Sequence, residues 1–119
     1  MDIMGSTAEE VTTRIKALAA FAKAAPEGDK ELEELEDSHI THALTLNKKK
    51  LAAIITTNSP TIANIATLEA YKVRFGYPYG YIIQYTPEHV YYAEVSQIDA
   101  ILVKGQLAIN PACMKKLQL

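Results

Sequence analysis

Tryptophan is absent, and cysteine occurs once, as Cys113. A lone cysteine excludes an internal disulfide, and a chain without a disulfide framework is expected in the cytoplasm. Glycine is sparse, with five residues scattered along 119. They build no Gly-x-Gly-x-x-Gly, no P-loop and no Gly-x-Ser-x-Gly elbow, so the phosphate-cradling loops and the strained nucleophile turn of those motifs are excluded. An excess of positive charge is missing too. The formal net charge is −2 and the pI about 5.9, whereas nucleic acid and anionic membranes select basic surfaces. Apolar runs such as residues 51–55 fall far short of the about 20 residues a spanning helix needs. The first residues, Met1-Asp2-Ile3-Met4-Gly5-Ser6, carry neither the positive region nor the apolar core of a secretory signal. The expected location is therefore cytoplasmic, or within a virion if the chain is phage-encoded. Neither nucleic acid nor a membrane is expected as a partner, and no cofactor is expected.

What is present is distributed unevenly. Hydrophobic residues make up 49% and charged residues 22%, close to the globular average. A chain of this length forms one domain, residues 1–119, and buries roughly two thirds of its unfolded surface. Residues 27–37 hold Glu27, Asp29, Glu31, Glu33, Glu34, Glu36 and Asp37 with one cation, Lys30. All seven tyrosines fall between Tyr71 and Tyr92, while the first 70 residues contain one aromatic, Phe21. The contrast reads as a helical part over about 6–70, a β-rich part over about 71–110 and a tail over 111–119 whose order depends on a partner.

Local signals fill in this plan. Ser6 or Thr7 with Glu9 or Glu10 has capping-box spacing. The stripe Val11, Ile15, Leu18, Ala22 has helical period, and Pro26 and Gly28 end the helix. A second helix is predicted over 30–57, its acidic start matching the positive end of the helix dipole. Its stripe comprises Leu32, Leu35, His39, Ile40, Ala43, Leu44, Leu51, Ile54 and Ile55, and Asn47 allows a break into two. Ser59 as cap and Pro60 in the first turn open a third helix carrying Ile62, Ile65, Ala66 and Leu68. Strict alternation in Tyr71-Lys72-Val73-Arg74-Phe75 predicts a strand. Residues 81–85 and 90–95 predict two more, paired as a hairpin. Residues 96–104 fit a helix or a strand, and Lys104-Gly105 would close a hairpin to residues 106–109. The predicted fold class is α+β, with two or three N-terminal helices packed on one face of a C-terminal antiparallel sheet.

Candidate chemistry is thin. Glu36-x-x-His39-x-x-His42 would place ligand atoms on one helical face, as in diiron bundles. Only one copy occurs, so Glu36, His39 and His42 remain metal candidates without a complete ligand set. Cys113 beside Lys115 and Lys116 has cations that lower a thiol pKa, but no base neighbours it in sequence. Tyr77, Tyr79, Tyr81, Tyr85, Tyr91 and Tyr92 are the candidate interface residues, because tyrosine joins an apolar ring to a polar tip and is enriched where proteins meet. Lys72 and Arg74 beside them offer the stacking-plus-charge pattern of single-strand binders, though with two cations only.

Residues 71–79, Tyr71-Lys72-Val73-Arg74-Phe75-Gly76-Tyr77-Pro78-Tyr79, resemble the Y-x-x-[KR]-F-G-[FY]-P-[FY] segment of ureidoimidazoline decarboxylases of purine breakdown. The resemblance implies an all-helical fold. It covers about nine of 119 residues. The family's His-Pro segment and Ser-x-x-Glu-Gln motif do not occur in this sequence, so no residue role carries over.

Three functions follow as expectations. The first is a non-enzymatic structural or assembly subunit that self-associates, such as a small phage or virion component. Its basis is that strands around Tyr81-Ile82-Ile83 and Ile101-Leu102-Val103 are apolar on both faces while one helical layer covers only one. The second is a regulator or inhibitor that binds a host protein through the acidic segment or the Tyr-rich sheet. The third is a small enzyme or ligand-binding protein with a site between helices and sheet, tested first at Glu88, His89, Tyr92 and Glu94.

Overall fold

The structure, a computed structural model, describes residues 8–24, 30–35 and 40–117. It opens with helix α1 (Ala8–Ala24), followed by strands β1 (Lys30–Glu34), β2 (His42–Leu46) and β3 (Lys49–Thr57). Helix α2 (Ile62–Phe75) leads to β4 (Tyr79–Tyr85) and β5 (Val90–Glu94). A short hairpin of β6 (Ala100–Val103) and β7 (Gln106–Ile109) precedes the last strand, β8 (Lys115–Lys116). Six strands form one sheet in the order β1-β2-β3-β4-β5-β8, and β6 and β7 form a separate pair. All neighbours in the large sheet are antiparallel except β3 and β4, which run parallel through the α2 crossover. The class is α+β, but the arrangement departs from the predicted one.

The predicted second helix does not form. Residues 30–34, 42–46 and 49–57 are a three-stranded antiparallel meander. Asn47 and Lys48 have φ of 53° and 65°, the left-handed pair that a two-residue hairpin turn requires. A register shift between Leu44 and Thr45 adds a bulge beside it. Ala52, Ala53, Ile54 and Ile55 are consecutive and all at most 3% exposed. A strand buried on both faces shows an unbroken apolar run, which periodicity does not separate from a buried helix.

The predicted strand over 71–75 is instead the last turn and a half of α2. Tyr71 packs inward against the core under α2, while Val73 is 84% exposed. Gly76 closes the helix at φ 77°, donating its N–H to the Lys72 carbonyl at 2.8 Å, and Tyr77 N–H donates to the same oxygen at 3.1 Å. This left-handed cap is the common glycine stop of a helix. The helix also starts later than expected. Thr61, not Ser59, is the cap, in a reciprocal box with Asn64: Asn64 N–H donates to Thr61 Oγ1 at 3.2 Å and Thr61 N–H donates to Asn64 Oδ1 at 2.8 Å. A six-stranded sheet also separates this chain from the all-helical fold that residues 71–79 suggested.

Both sheet faces are covered from within. On one, Ala17, Leu18, Ala20 and Phe21 of α1 pack with Leu44, Ala52, Ile54, Ile83 and Val90. On the other, Leu68 of α2 packs with Ile40, Ala53, Ile55, Ile82 and Val95. Ile82 and Ile83 are each fully buried, so the sheet needs no second copy to close it. This removes the basis for self-association at Tyr81-Ile82-Ile83, whereas in the other segment, Ile101-Leu102-Val103, Leu102 and Val103 stay exposed. Of the stripe read for α1, Leu18 is in the core but Ile15 is 61% exposed. Residues 111–117 dock on the domain itself: Lys115 and Lys116 pair with Tyr92 and Tyr91, Leu117 N–H donates to the Val90 carbonyl at 2.8 Å, and Leu117 is buried. Residues 96–104 resolve into a 3-10 turn, Val95–Gln97, and strand β6.

Candidate functional site

The tyrosines do not form one surface. Tyr81 and Tyr92 face α1, their ring centroids 5.0 and 5.9 Å from Phe21. Tyr85 packs against the same core. Tyr77 lies on the α2 side, stacked on Tyr71 at 5.7 Å, with Lys50 Nζ 5.3 Å above its ring. Lys50 Nζ also donates to the Phe75 carbonyl at 2.8 Å. Tyr91 is half-buried and meets the edge of His89 at 6.3 Å. Tyr79 stands 46% exposed.

Three of the six, Tyr79, Tyr81 and Tyr92, line an open cleft of about 400 Å³. The cleft is built where the end of α2, the start of β4, the end of β5 and the start of β8 converge. Lys72 enters from α2, Lys115 from β8, and Glu94 and Ser96 from the end of β5 and its 3-10 turn. Lys72 Nζ is 3.8 Å from Glu69 Oε1 and 4.0 Å from Glu94 Oε1. Glu94 Oε2 accepts the Ser96 N–H at 3.0 Å and a very short bond from the Ser96 hydroxyl. Gly80 matters here because a Cβ on it would lie 2.9 Å from Lys72 Cδ and 3.1 Å from Val95 Cγ1. Its bare backbone leaves the trough in which the lysine stem lies. Burial, then the nearby Glu94 charge and the phenols of Tyr79 and Tyr92, raise the Tyr81 pKa above its usual 10.0, so Tyr81 stays a hydroxyl donor at neutral pH.

The other candidates are dispersed. Glu88 and His89 are exposed in the β4–β5 turn, where Thr86 Oγ1 accepts the His89 N–H at 2.9 Å. That turn is at the opposite end of the hairpin from Glu94, which pairs with Tyr81. Cys113 lines the cleft, and its Sγ accepts the Asp99 N–H at 3.3 Å. Glu36 and His39 lie outside the described residues. His42 sits on β2, so the helical spacing that grouped these three does not apply to it. Among the described residues no cluster of three or more His, Cys, Asp or Glu side chains comes together.

A polar cluster under α1 was not anticipated. Arg14 Nε donates to Thr56 Oγ1 at 3.1 Å. Thr56 Oγ1 donates to Thr41 Oγ1 at 3.3 Å, and Thr41 Oγ1 donates to the Ile54 carbonyl at 3.0 Å. His42 adjoins it, with a buried Nδ1 that has no hydrogen-bond partner among the described residues. Burial, followed by the Arg14 charge and opposed by Glu34, lowers the His42 pKa below 6.5. The folded chain therefore binds this proton more weakly than the unfolded chain does. The His42 contribution to stability is full above pH 6.5 and is lost as pH falls to the lowered folded value. His42→Leu is expected to shrink the drop in melting temperature between pH 7 and pH 5.5. Equal drops in both proteins would refute this.

A last feature is the β6–β7 hairpin. Ile109 anchors it to the α2-side core, yet Leu102 and Leu107, paired across it, are 73% and 62% exposed, and Val103 is 46% exposed. Among the described residues no helix is long and apolar enough to cross a membrane. No protein-family model, curated protein or solved structure matches this chain.

Proposed function

We propose that this chain is a non-enzymatic assembly subunit that self-associates through the β6–β7 hairpin. The observation that supports it is the exposed Leu102–Leu107 pair with Val103 beside it. Leucines displayed this openly on a hairpin are the kind of apolar patch that marks a contact surface. A second copy suits it because the hairpin strands, Ala100–Val103 and Gln106–Ile109, carry no charged residue, and an identical patch is self-complementary about a two-fold axis. The edges of the large sheet are less suited. One edge strand reads Lys30-Glu31-Leu32-Glu33-Glu34 and the other is only Lys115-Lys116, the charged and short edges by which proteins block strand addition.

Light scattering behind a sizing column, over a wide concentration range, tests the reading. The wild-type chain is expected at a multiple of 13.1 kDa. Leu102→Glu with Leu107→Glu is expected to return the 13.1 kDa monomer with its fold retained. Each leucine removed from a contact weakens it by about 1.5–3 kcal/mol, so the pair shifts the dissociation constant at least about a hundredfold. A wild-type chain that remains monomeric at millimolar concentration sinks the proposal. It would turn attention to a different protein as the hairpin's partner, the regulator reading.

A further inference from the structure

The Tyr-lined cleft has a constitution that the hairpin contact does not use. Two cations, Lys72 and Lys115, line it against one anion, Glu94, on a chain whose net charge is −2. Glu94 keeps its charge but turns one oxygen away, its Oε2 accepting from the Ser96 N–H and hydroxyl. Lys72 is held in place by loose ion pairs with Glu69 and Glu94. Its side chain is 14% exposed, and its two carboxylate neighbours are 3.8 and 4.0 Å away, beyond the range of a hydrogen bond. Its carboxylate neighbours stand at ion-pair rather than hydrogen-bond distance, which leaves the ammonium able to donate to an oxyanion in the cleft. Gly80 is the feature that permits this placement, because any side chain there would displace the lysine stem. The phenols of Tyr79, Tyr81 and Tyr92 line the cleft as further hydrogen-bonding groups. A volume of about 400 Å³ lies within the roughly 300–1,000 Å³ range of small-molecule sites and exceeds what a bare ion fills.

We propose that this cleft binds a small organic oxyanion, a phosphomonoester or a carboxylic acid with a compact ring. Its acidic group is held by Lys72, Lys115 and the phenolic hydroxyls, and its ring lies on Tyr79. The site is independent of the hairpin contact.

Calorimetric titration of the full chain with phenyl phosphate, phenylacetate, phenol and inorganic phosphate tests this. Saturable binding of phenyl phosphate or phenylacetate is expected at millimolar concentration or below, and the tighter of the two identifies the acid class. Phenol is expected to bind at least about tenfold more weakly, as is inorganic phosphate, since each offers only half of the recognised chemistry. Lys72→Met keeps the stem in the Gly80 trough, and Lys115→Ala alters an exposed edge residue. Each is expected to weaken binding about tenfold, the scale of one charge-assisted hydrogen bond, with the melting temperature little changed. The proposal is overturned if neither organic acid binds, if phenol binds as well as the acids, or if both variants bind like the wild type. Inorganic phosphate binding as tightly as phenyl phosphate would overturn the claim that a ring is recognised.

Discussion

Ile82→Asp is expected to unfold the chain. Ile82 is fully buried on the fourth of six strands, paired with Ile55 on one side and Ala93 on the other. Its side chain sits with Ile40, Ile55, Leu68 and Val95 under α2. An aspartate there loses the packing of the isoleucine and leaves a carboxylate without a partner in an apolar layer. Truncation alone, as Ile82→Ala, costs about 2–5 kcal/mol. The stranded polar group adds at least about 1–3 kcal/mol. A domain of this size has only about 5–15 kcal/mol of net stability, so the sum takes most or all of it. Urea titration followed by far-ultraviolet circular dichroism is the measurement. Ile82→Ala should keep a cooperative transition at a lower midpoint, whereas Ile82→Asp should show none. An aspartate variant with a wild-type midpoint would mean that α2 does not close this face.

Phe21→Ala is expected to destabilise the domain by about 3–5 kcal/mol, the usual cost of emptying a buried aromatic site. Phe21 is 3% exposed and is the one aromatic that α1 contributes. Its ring is the common neighbour of Tyr81 and Tyr92, so the loss reaches further than α1. Those two rings also line the cleft, and without Phe21 behind them they gain freedom to rotate. The variant should therefore bind oxyanion probes more weakly while still folded at low temperature. Phe21→Leu, which retains most of the volume, should recover the larger part of both losses. A melting temperature unaffected by Phe21→Ala would show that α1 is not seated on the sheet as described.

Much of the fold was readable where a local signal had a single structural solution. Residues 81–85 and 90–95, rich in Tyr, Ile and Val and separated by Thr86-Pro87-Glu88-His89, read as a hairpin, and they form the β4–β5 hairpin. Lys104-Gly105, with φ of 52° and 79°, closes β6 onto β7, one of the two outcomes that residues 96–109 allowed. Signals with two solutions were resolved only by packing. Five residues such as Tyr71-Lys72-Val73-Arg74-Phe75 alternate like a strand, yet they finish a helix because Gly76 follows as its left-handed cap. The segment from Lys49 to Thr57 is rich in Lys, Leu and Ala, which favour helices in isolation. Its residues 52–55 are covered on both faces by different helices, a fact that exists only once the sheet has formed.

Residues distant in sequence meet in the same way. Lys72, Tyr81, Glu94 and Lys115 come from four elements. No spacing rule relates them, because their convergence follows from a parallel crossover that returns β4 beside β3 and from a two-residue strand that docks on β5. The sequence by itself determined the covalent and local constraints: no disulfide, a helix near each of residues 8–24 and 62–70, tight turns, and tyrosines confined to residues 71–92. Tertiary structure decided which apolar runs became strands, that both faces of the sheet are closed by one chain, and that Leu102 and Leu107 remain in water. The reason is physical. Local propensities differ by less than about 1 kcal/mol per residue, while burying one large side chain is worth about 1.5–3 kcal/mol, so the partner a segment packs against outweighs its own preference.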